Sequence, residues 1–424
     1  MGKTTAEKIL SKACGREVIP GEIVYPDPDL VLITDTQFYH DGLTSVTITE
    51  ALKKLGLNKL AQPDKYVATL SHTVPITSVN GTMLVNKIRK IVAEQGIKNF
   101  FDEGRHGVEH TLSLENGLVR PGMLVFGGDT HMTQAGAVGA LGIALSFELP
   151  TVFATGTTWI KVPRTIKVEL TGSLPKGVLS RDAILWIIGD IGAERADYRV
   201  IEFTGPGLKE MGIAGRMTLC DVCPEIGAKS AIAEPDEKTI DYVKARIKEP
   251  FEVLKSDPDA EFEQIFHYDL AELVPMVAIP PTPDNVKPLT TMAGTRINQA
   301  NLGSCANGTV EDLRVAAQIL KGKKVHTGVR MIVCPATQGV FEEAAREGLV
   351  ETFLAAGAVV TEPSCGICFG LFSHLAAGEA CIATITRNDP GRIGSPEADI
   401  YLASPATVAA SAIKGEITDP RELL

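Results

Sequence analysis

Short apolar runs along this chain end in polar, glycine-containing turns that lead into helical patterns. Residues 66–70 run into Ser71-His72, and 123–126 into Gly127-Gly128-Asp129-Thr130-His131. Residues 330–334 run into Pro335-Ala336-Thr337, and 358–360 lead to Pro363-Ser364-Cys365. Apolar runs this short, bounded by turn residues, predict strands. Over 82–95 the spacing sets Leu84, Ile88, Ile91 and Val92 on one helical face, whereas 165–170 alternates, with Ile166, Val168 and Leu170 on one side. Ser404-Pro405 reads as an N-cap followed by the first helical residue, and Gly415 as the end of that helix. Strands alternating with helices predict an α/β fold with mainly parallel sheets, whose ligands gather at the carboxyl ends of strands. A charge-rich stretch at 247–273 is followed by five prolines within 275–288. Together they predict a linker of limited flexibility, dividing an N-terminal region, 1–285, from a C-terminal α/β subdomain, 286–424.

Composition narrows the class. The chain has 424 residues, enough for two or three domains with substantial cores. Lys plus Arg number 41 against 52 Asp plus Glu, a net charge of −11 that disfavours nucleic acid or an anionic membrane as the partner. No apolar run reaches the roughly 18 residues of a membrane span, and Met1-Gly2-Lys3-Thr4 leads into a polar helical pattern with no secretory signal. Eight cysteines in such a chain favour thiols and metal over disulfides. The expectation is a cytoplasmic enzyme.

Three cysteines carry the candidate chemistry. Cys305 lies in Gly303-Ser304-Cys305-Ala306-Asn307-Gly308, and Cys365 and Cys368 in Pro363-Ser364-Cys365-Gly366-Ile367-Cys368-Phe369-Gly370. Three thiolates can hold three irons of a [4Fe–4S] cluster and leave the fourth open as a Lewis acid. A C-x-x-C pair also suits a thiol oxidoreductase or half of a zinc site. The first needs no Cys305, and the second needs a fourth ligand, for which His374 sits six residues beyond Cys368 in an expected helix. Cys220-Asp221-Val222-Cys223 repeats the spacing, so spacing alone leaves open which pair binds metal. Cys14, Cys220, Cys223, Cys334 and Cys381 mostly fall in apolar runs and read as small core residues.

Polar groups cluster at other turns. His72, His110 and His131 each follow an apolar segment or a glycine turn, and Asp129 is placed to orient the His131 imidazole. Glu225 is an acid in an otherwise apolar turn. Arg387 and Arg392, in Thr386-Arg387-Asn388-Asp389-Pro390-Gly391-Arg392, suit bidentate clamping of carboxylates. Neither a P-loop nor a strand-to-helix G-x-G-x-x-G is present.

These motifs, in this order, resemble the aconitase superfamily, in particular the separate large subunit of the isopropylmalate isomerase (3-isopropylmalate dehydratase) group. Gly128-Asp129-Thr130-His131 is similar to its Asp-Ser-His loop, and Gly215-Arg216-Met217-Thr218-Leu219-Cys220 with Glu225 to its Cys-Asn…Glu helix. Gly303-Ser304-Cys305-Ala306-Asn307 resembles its Gly-Ser-Cys-Thr-Asn turn, and Gly391-Arg392-Ile393-Gly394 with Tyr401-Leu402-Ala403-Ser404-Pro405 its C-terminal signature. The resemblance implies three α/β subdomains around a [4Fe–4S] cluster held by Cys305, Cys365 and Cys368. It assigns proton handling to His72, His110, Asp129, His131 and Glu225, and substrate carboxylates to Arg387 and Arg392. It further implies a separate small subunit bearing the swivel domain and the serine base, in a heterodimer or heterotetramer.

Departures surround the expected site. Ser71 stands where the family usually has Asp, which deprives His72 of its acidic neighbour in sequence. Asp221 and Asp389 replace neutral residues, Met132 and Ala306 replace polar ones, and Thr130 keeps a hydroxyl. No departure adds a positive charge. The expected reaction is reversible dehydration of an alkyl-substituted malate, 3-isopropylmalate or 2,3-dimethylmalate. The alternatives are a homoaconitase large subunit acting on a tricarboxylate and, from another class, an iron-responsive RNA-binding protein, which the net charge disfavours.

Overall fold

The computed structural model describes residues 2–39 and 47–424. The chain forms two compact units, Met1–Glu169 with Ala196–Thr204 and Ala228–Phe266, and Leu170–Arg195 with Gly205–Gly227 and His267–Leu424.

The first unit is built on a five-stranded parallel sheet in the order Asn99–Phe101, Tyr66–Thr69, Leu30–Thr34, Leu124–Gly127, Leu141–Ala144. Val31, Ile33, Tyr66, Ala68, Phe126 and Ile143 are buried in its core, as near-continuous apolar runs in a sheet covered on both faces should be. The helix expected over 82–95 spans Val79–Gln95 and buries Val85, Ile88, Ile91 and Val92; Leu84 is only partly covered. Thr165–Thr171 forms the alternating strand, pairing parallel to Val200–Thr204, which pairs parallel to Ser230–Ala233.

The second unit carries a seven-stranded sheet ordered Val286–Pro288, Met276–Ala278, Asp399–Leu402, Ala380–Ala383, Gln299–Gly303, Arg330–Cys334, Val359–Val360. The last five strands in that order run parallel, whereas Met276–Ala278 is antiparallel to both of its neighbours. The proline-rich stretch expected as a linker therefore contributes two strands, Met276–Ala278 and Val286–Pro288, to this sheet. Its prolines fall at strand ends and in the intervening turn, where no ladder donor is needed. Helix Pro405–Lys414 begins at Ser404 and ends at Gly415 as its sequence predicts.

Candidate active site

In the first unit, adjacent parallel strands end together: Thr34 is opposite Thr69, and Leu32 opposite Gly127. Their carboxyl ends release Asp35, then Ser71-His72, then Asp129-Thr130-His131 at one edge of the sheet. His72 does have an acidic partner, supplied across the sheet by Asp35 and not by its chain neighbour. Asp35 is fully buried, and its Oδ2 accepts from the His72 N–H at 3.0 Å, the Thr73 N–H at 2.6 Å and the Thr73 hydroxyl at 2.5 Å. Oδ1 lies 3.4 Å from His72 Nδ1, which is also 2.8 Å from the Ser71 hydroxyl. Burial pushes the Asp35 carboxyl up, but His72 and Thr73 outweigh it and hold the group below its usual range. A depressed carboxyl stabilises the fold fully above its unfolded pKa of about 4 and progressively less as pH falls below it. Asp35→Asn should therefore cost about 1–3 kcal/mol near pH 7, with the gap to wild type narrowing below about pH 4. Unfolding midpoints across that range provide the check, and a gap independent of pH would contradict the assignment.

His110 and Glu109 open the helix Glu109–Glu115, both almost wholly buried. Asp129 caps the 3₁₀ helix Thr130–Val138: Oδ1 accepts from the His131 N–H at 2.7 Å and lies 3.3 Å from His131 Nδ1. The His110 and His131 rings stand 6.3 Å apart. Burial raises the Asp129 carboxyl, yet the imidazoles of His131 and His110 prevail and hold it ionised. Glu109 escaped the sequence reading. Its carboxylate has no hydrogen-bond donor among the described residues and sits 3.7 Å from His110 Nδ1. An acid directly before a candidate histidine was its only signal. Met132 is fully buried, and a Cβ placed on Gly127 would fall 2.1 Å from its sulfur. Its apolar surface is thus used in packing against a strand.

The second unit holds the remaining candidates, mostly where parallel strands end. Gln299–Gly303 releases Cys305, Val359–Val360 leads to Cys365 and Cys368, and Ala380–Ala383 leads to Arg387 and Arg392. Gly303 has φ 129° and pairs with Cys334, whose carbonyl oxygen would lie 1.8 Å from any Cβ at that position. Only glycine lets the strand turn there, and Ser304 follows with φ 72°, a conformation that persists where surrounding structure imposes it. The short helix Ser304–Asn307 packs against the turn Gly366–Cys368, which brings the Cys305 and Cys365–Cys368 segments together. His374 lies outside any helix.

Arg392 donates from Nε to the Cys368 carbonyl at 2.8 Å and from Nη2 to the Cys368 sulfur at 3.3 Å. The Cys368 thiolate is the chief reason Arg392 is held above the usual arginine value. Arg387 pairs through Nε with both oxygens of Glu225, at 3.1 and 3.0 Å, and burial of the guanidinium is outweighed by that carboxylate. Its two Nη groups have no partner among the described residues. Glu225 itself follows the helix Ile213–Val222 in a 3₁₀ turn, not a strand end. Cys220 on that helix and Cys223 just after it are buried, and Cys223 donates to the Leu219 carbonyl at 3.2 Å, as a core thiol does. Burial, together with the neighbouring Cys220 and Asp221 charges, pushes the Cys223 thiol well up.

The residues around Cys305, Cys365 and Cys368 fit an iron–sulfur group. The two segments that carry these thiols follow strand ends and pack together, and an arginine N–H already faces one sulfur, the kind of donor that such clusters take at their ligating sulfurs.

A model of the aconitase family (aconitate hydratase) matches residues 7–296 and 286–415. The chain belongs to the aconitase family. It is 44% identical over 100% of both chains to the 3-isopropylmalate dehydratase large subunit 1 of Methanopyrus kandleri. Identity is 42% to the 3-isopropylmalate dehydratase large subunit of a Hydrogenobaculum species, over 100% of this chain and 99% of that protein. It is also 42% to a probable methanogen homoaconitase large subunit of Methanothermobacter thermautotrophicus, over 98% and 97%. This aconitase-family chain is accordingly a hydro-lyase with an iron–sulfur centre. No helix among its described residues is long and apolar enough to cross a membrane.

Proposed function

We propose that this chain is the large subunit of a cytoplasmic hydro-lyase that reversibly dehydrates an alkyl-substituted malate, 3-isopropylmalate or 2,3-dimethylmalate. The placement of Cys305, Cys365, Cys368, Arg387 and Arg392 in segments that follow strand ends of one sheet, with Arg392 bonded to the Cys368 sulfur, carries this reading. Full-length similarity to proteins named as 3-isopropylmalate dehydratase large subunits supports it. Cys305, Cys365 and Cys368 would hold a [4Fe–4S] cluster, which when bound supplies an open Lewis-acid position for a substrate hydroxyl. Arg387 offers its Nη pair as a planar fork to one carboxylate, while Glu225 holds the guanidinium in place through Nε. Arg392, braced on Cys368, supplies a second cation. Both arginines are partly exposed and so reachable by substrate, and two such cations match the two carboxylates of an alkyl-substituted malate. In the first unit Asp129 orients His131, with His110 beside it, and Asp35 orients His72, an arrangement suited to proton transfer. The base that takes the carbon-bound proton would come from a separate small subunit, in a heterodimer or heterotetramer, so the isolated chain should turn over negligibly.

Anaerobic kcat/KM of the two-subunit complex with 3-isopropylmalate, 2,3-dimethylmalate, citrate and homoaconitate tests the proposal. Either alkylmalate should be preferred; a clear preference for a tricarboxylate, or brisk turnover by the large subunit alone, would overturn the corresponding statement.

A further inference from the structure

Arg181 opens the helix Ser180–Ile191 and is fully buried. Its Nη2 donates to the Ile385 carbonyl at 2.7 Å, two residues before Arg387. Nε and Nη1 have no hydrogen-bond partner among the described residues. An arginine stays charged at any accessible pH, and its buried N–H groups are costly to leave without an acceptor. A donor pair of this kind marks a place where an anion belongs.

The packing narrows which anion. The helix Ser180–Ile191 packs on the helix Ile213–Val222 and on the turn Cys223–Ile226, which bears Glu225. The helix Ile213–Val222 in turn packs on Ser304–Asn307, tied to it by the Thr218 hydroxyl donating to the Ala306 carbonyl at 2.8 Å. Arg181 therefore lies among the elements that carry Cys305, Glu225 and the arginine loop. Two of the nearby acids have other partners: Glu225 is held by Arg387, and Asp182 accepts the N–H groups of Leu179 at 2.8 Å and Met276 at 2.9 Å. The third, Asp221, is buried and is the acid whose charge acts most strongly on Arg181. Burial pushes Arg181 down from the usual arginine value, and the charges of Asp221, Cys305, Glu225 and Asp182 oppose that shift. Among these, the Cys305 thiolate belongs to the iron–sulfur group, which brings sulfur acceptors and negative charge with it.

We propose that Arg181 is a positioning residue for the iron–sulfur group, its Nε and Nη1 donating to sulfur on the Cys305 side as Arg392 does on the Cys368 side. The inference rests on the cluster assignment made above. Substrate cannot easily reach a guanidinium with no exposed surface, whereas a cluster assembled on Cys305 would be enclosed with it.

The test uses the full chain, reconstituted anaerobically with iron and sulfide, as wild type, Arg181→Met and Arg181→Lys. Loss of the cation disfavours the more negative, reduced cluster, so Arg181→Met should shift the reduction potential in an EPR-monitored titration to a more negative value. It should also lose iron to a chelator about 10-fold faster, the usual effect of removing a group that supports a metal ligand. Arg181→Lys keeps the charge and loses the fork, so its potential should stay near wild type while iron loss accelerates; this variant serves if the methionine variant does not fold. Wild-type potential and chelation rate in whichever variants fold would overturn the inference, as would a raised KM in the small-subunit complex with both properties unchanged. A wild-type chain that takes up no cluster overturns the cluster assignment as well, and is distinguished by iron analysis of the wild type alone.

Discussion

Serine at Cys305, Cys365 or Cys368 should each abolish stable iron–sulfur binding, while serine at Cys220 or Cys223 should leave it intact. A thiolate ligand contributes both the bond to iron and part of the charge that holds the group together, and an alcohol oxygen replaces neither. Cys220 is buried on the helix Ile213–Val222 and Cys223 is buried just after it, with the Cys223 thiol driven toward its neutral form and so a poor thiolate donor. Anaerobically purified wild type should be brown and carry roughly four irons per chain. Iron analysis and visible absorbance then separate the two groups of variants. Iron loss in Cys223→Ser together with retention in Cys305→Ser would reverse the assignment.

Arg387→Lys should lower kcat/KM of the two-subunit complex by roughly 30- to 1,000-fold. That corresponds to about 2–4 kcal/mol, the range expected for losing two charge-assisted hydrogen bonds to a carboxylate while keeping a point charge. The structure makes Arg387 more sensitive than its partial exposure suggests. Glu225 takes only Nε and thereby aims both Nη groups, a geometry an ammonium cannot copy. Glu225→Gln should cost less, since it loosens the aim but leaves the fork. A variant with unchanged kcat/KM for every alkylmalate would remove Arg387 from the carboxylate site. Iron content should be normal throughout, which separates this loss from cluster loss.

Much of the site was legible because chemistry and glycine coincide in short stretches. Asp129 preceding His131 by two residues is enough to orient the imidazole through a local cap, and Gly303 before Cys305 marks a turn that tolerates no side chain. Strand ends were legible for the same reason: apolar runs stop where the backbone leaves a buried sheet. The proline-rich stretch misled because prolines bound strands as readily as they stiffen linkers, and whether the pair Met276–Ala278 and Val286–Pro288 joins the larger sheet depends on Asp399–Leu402, more than a hundred residues further along. Met132 misled in another way: an apolar residue in a site loop can face substrate or pack on a glycine, and only the fold says which.

Sequence by itself determined the parallel α/β class, the three special cysteines, the two arginines and the family they belong to, all carried by motifs within a few residues. The tertiary structure alone decided the pairings between residues on separate elements: Asp35 with His72, Arg387 with Glu225, Arg392 with Cys368, and Arg181 with the carbonyl of Ile385. Neighbouring strands in a parallel sheet are joined through long crossovers. The register that sets Thr34 opposite Thr69, and so Asp35 beside His72, is written in how the sheet packs and not in any local spacing.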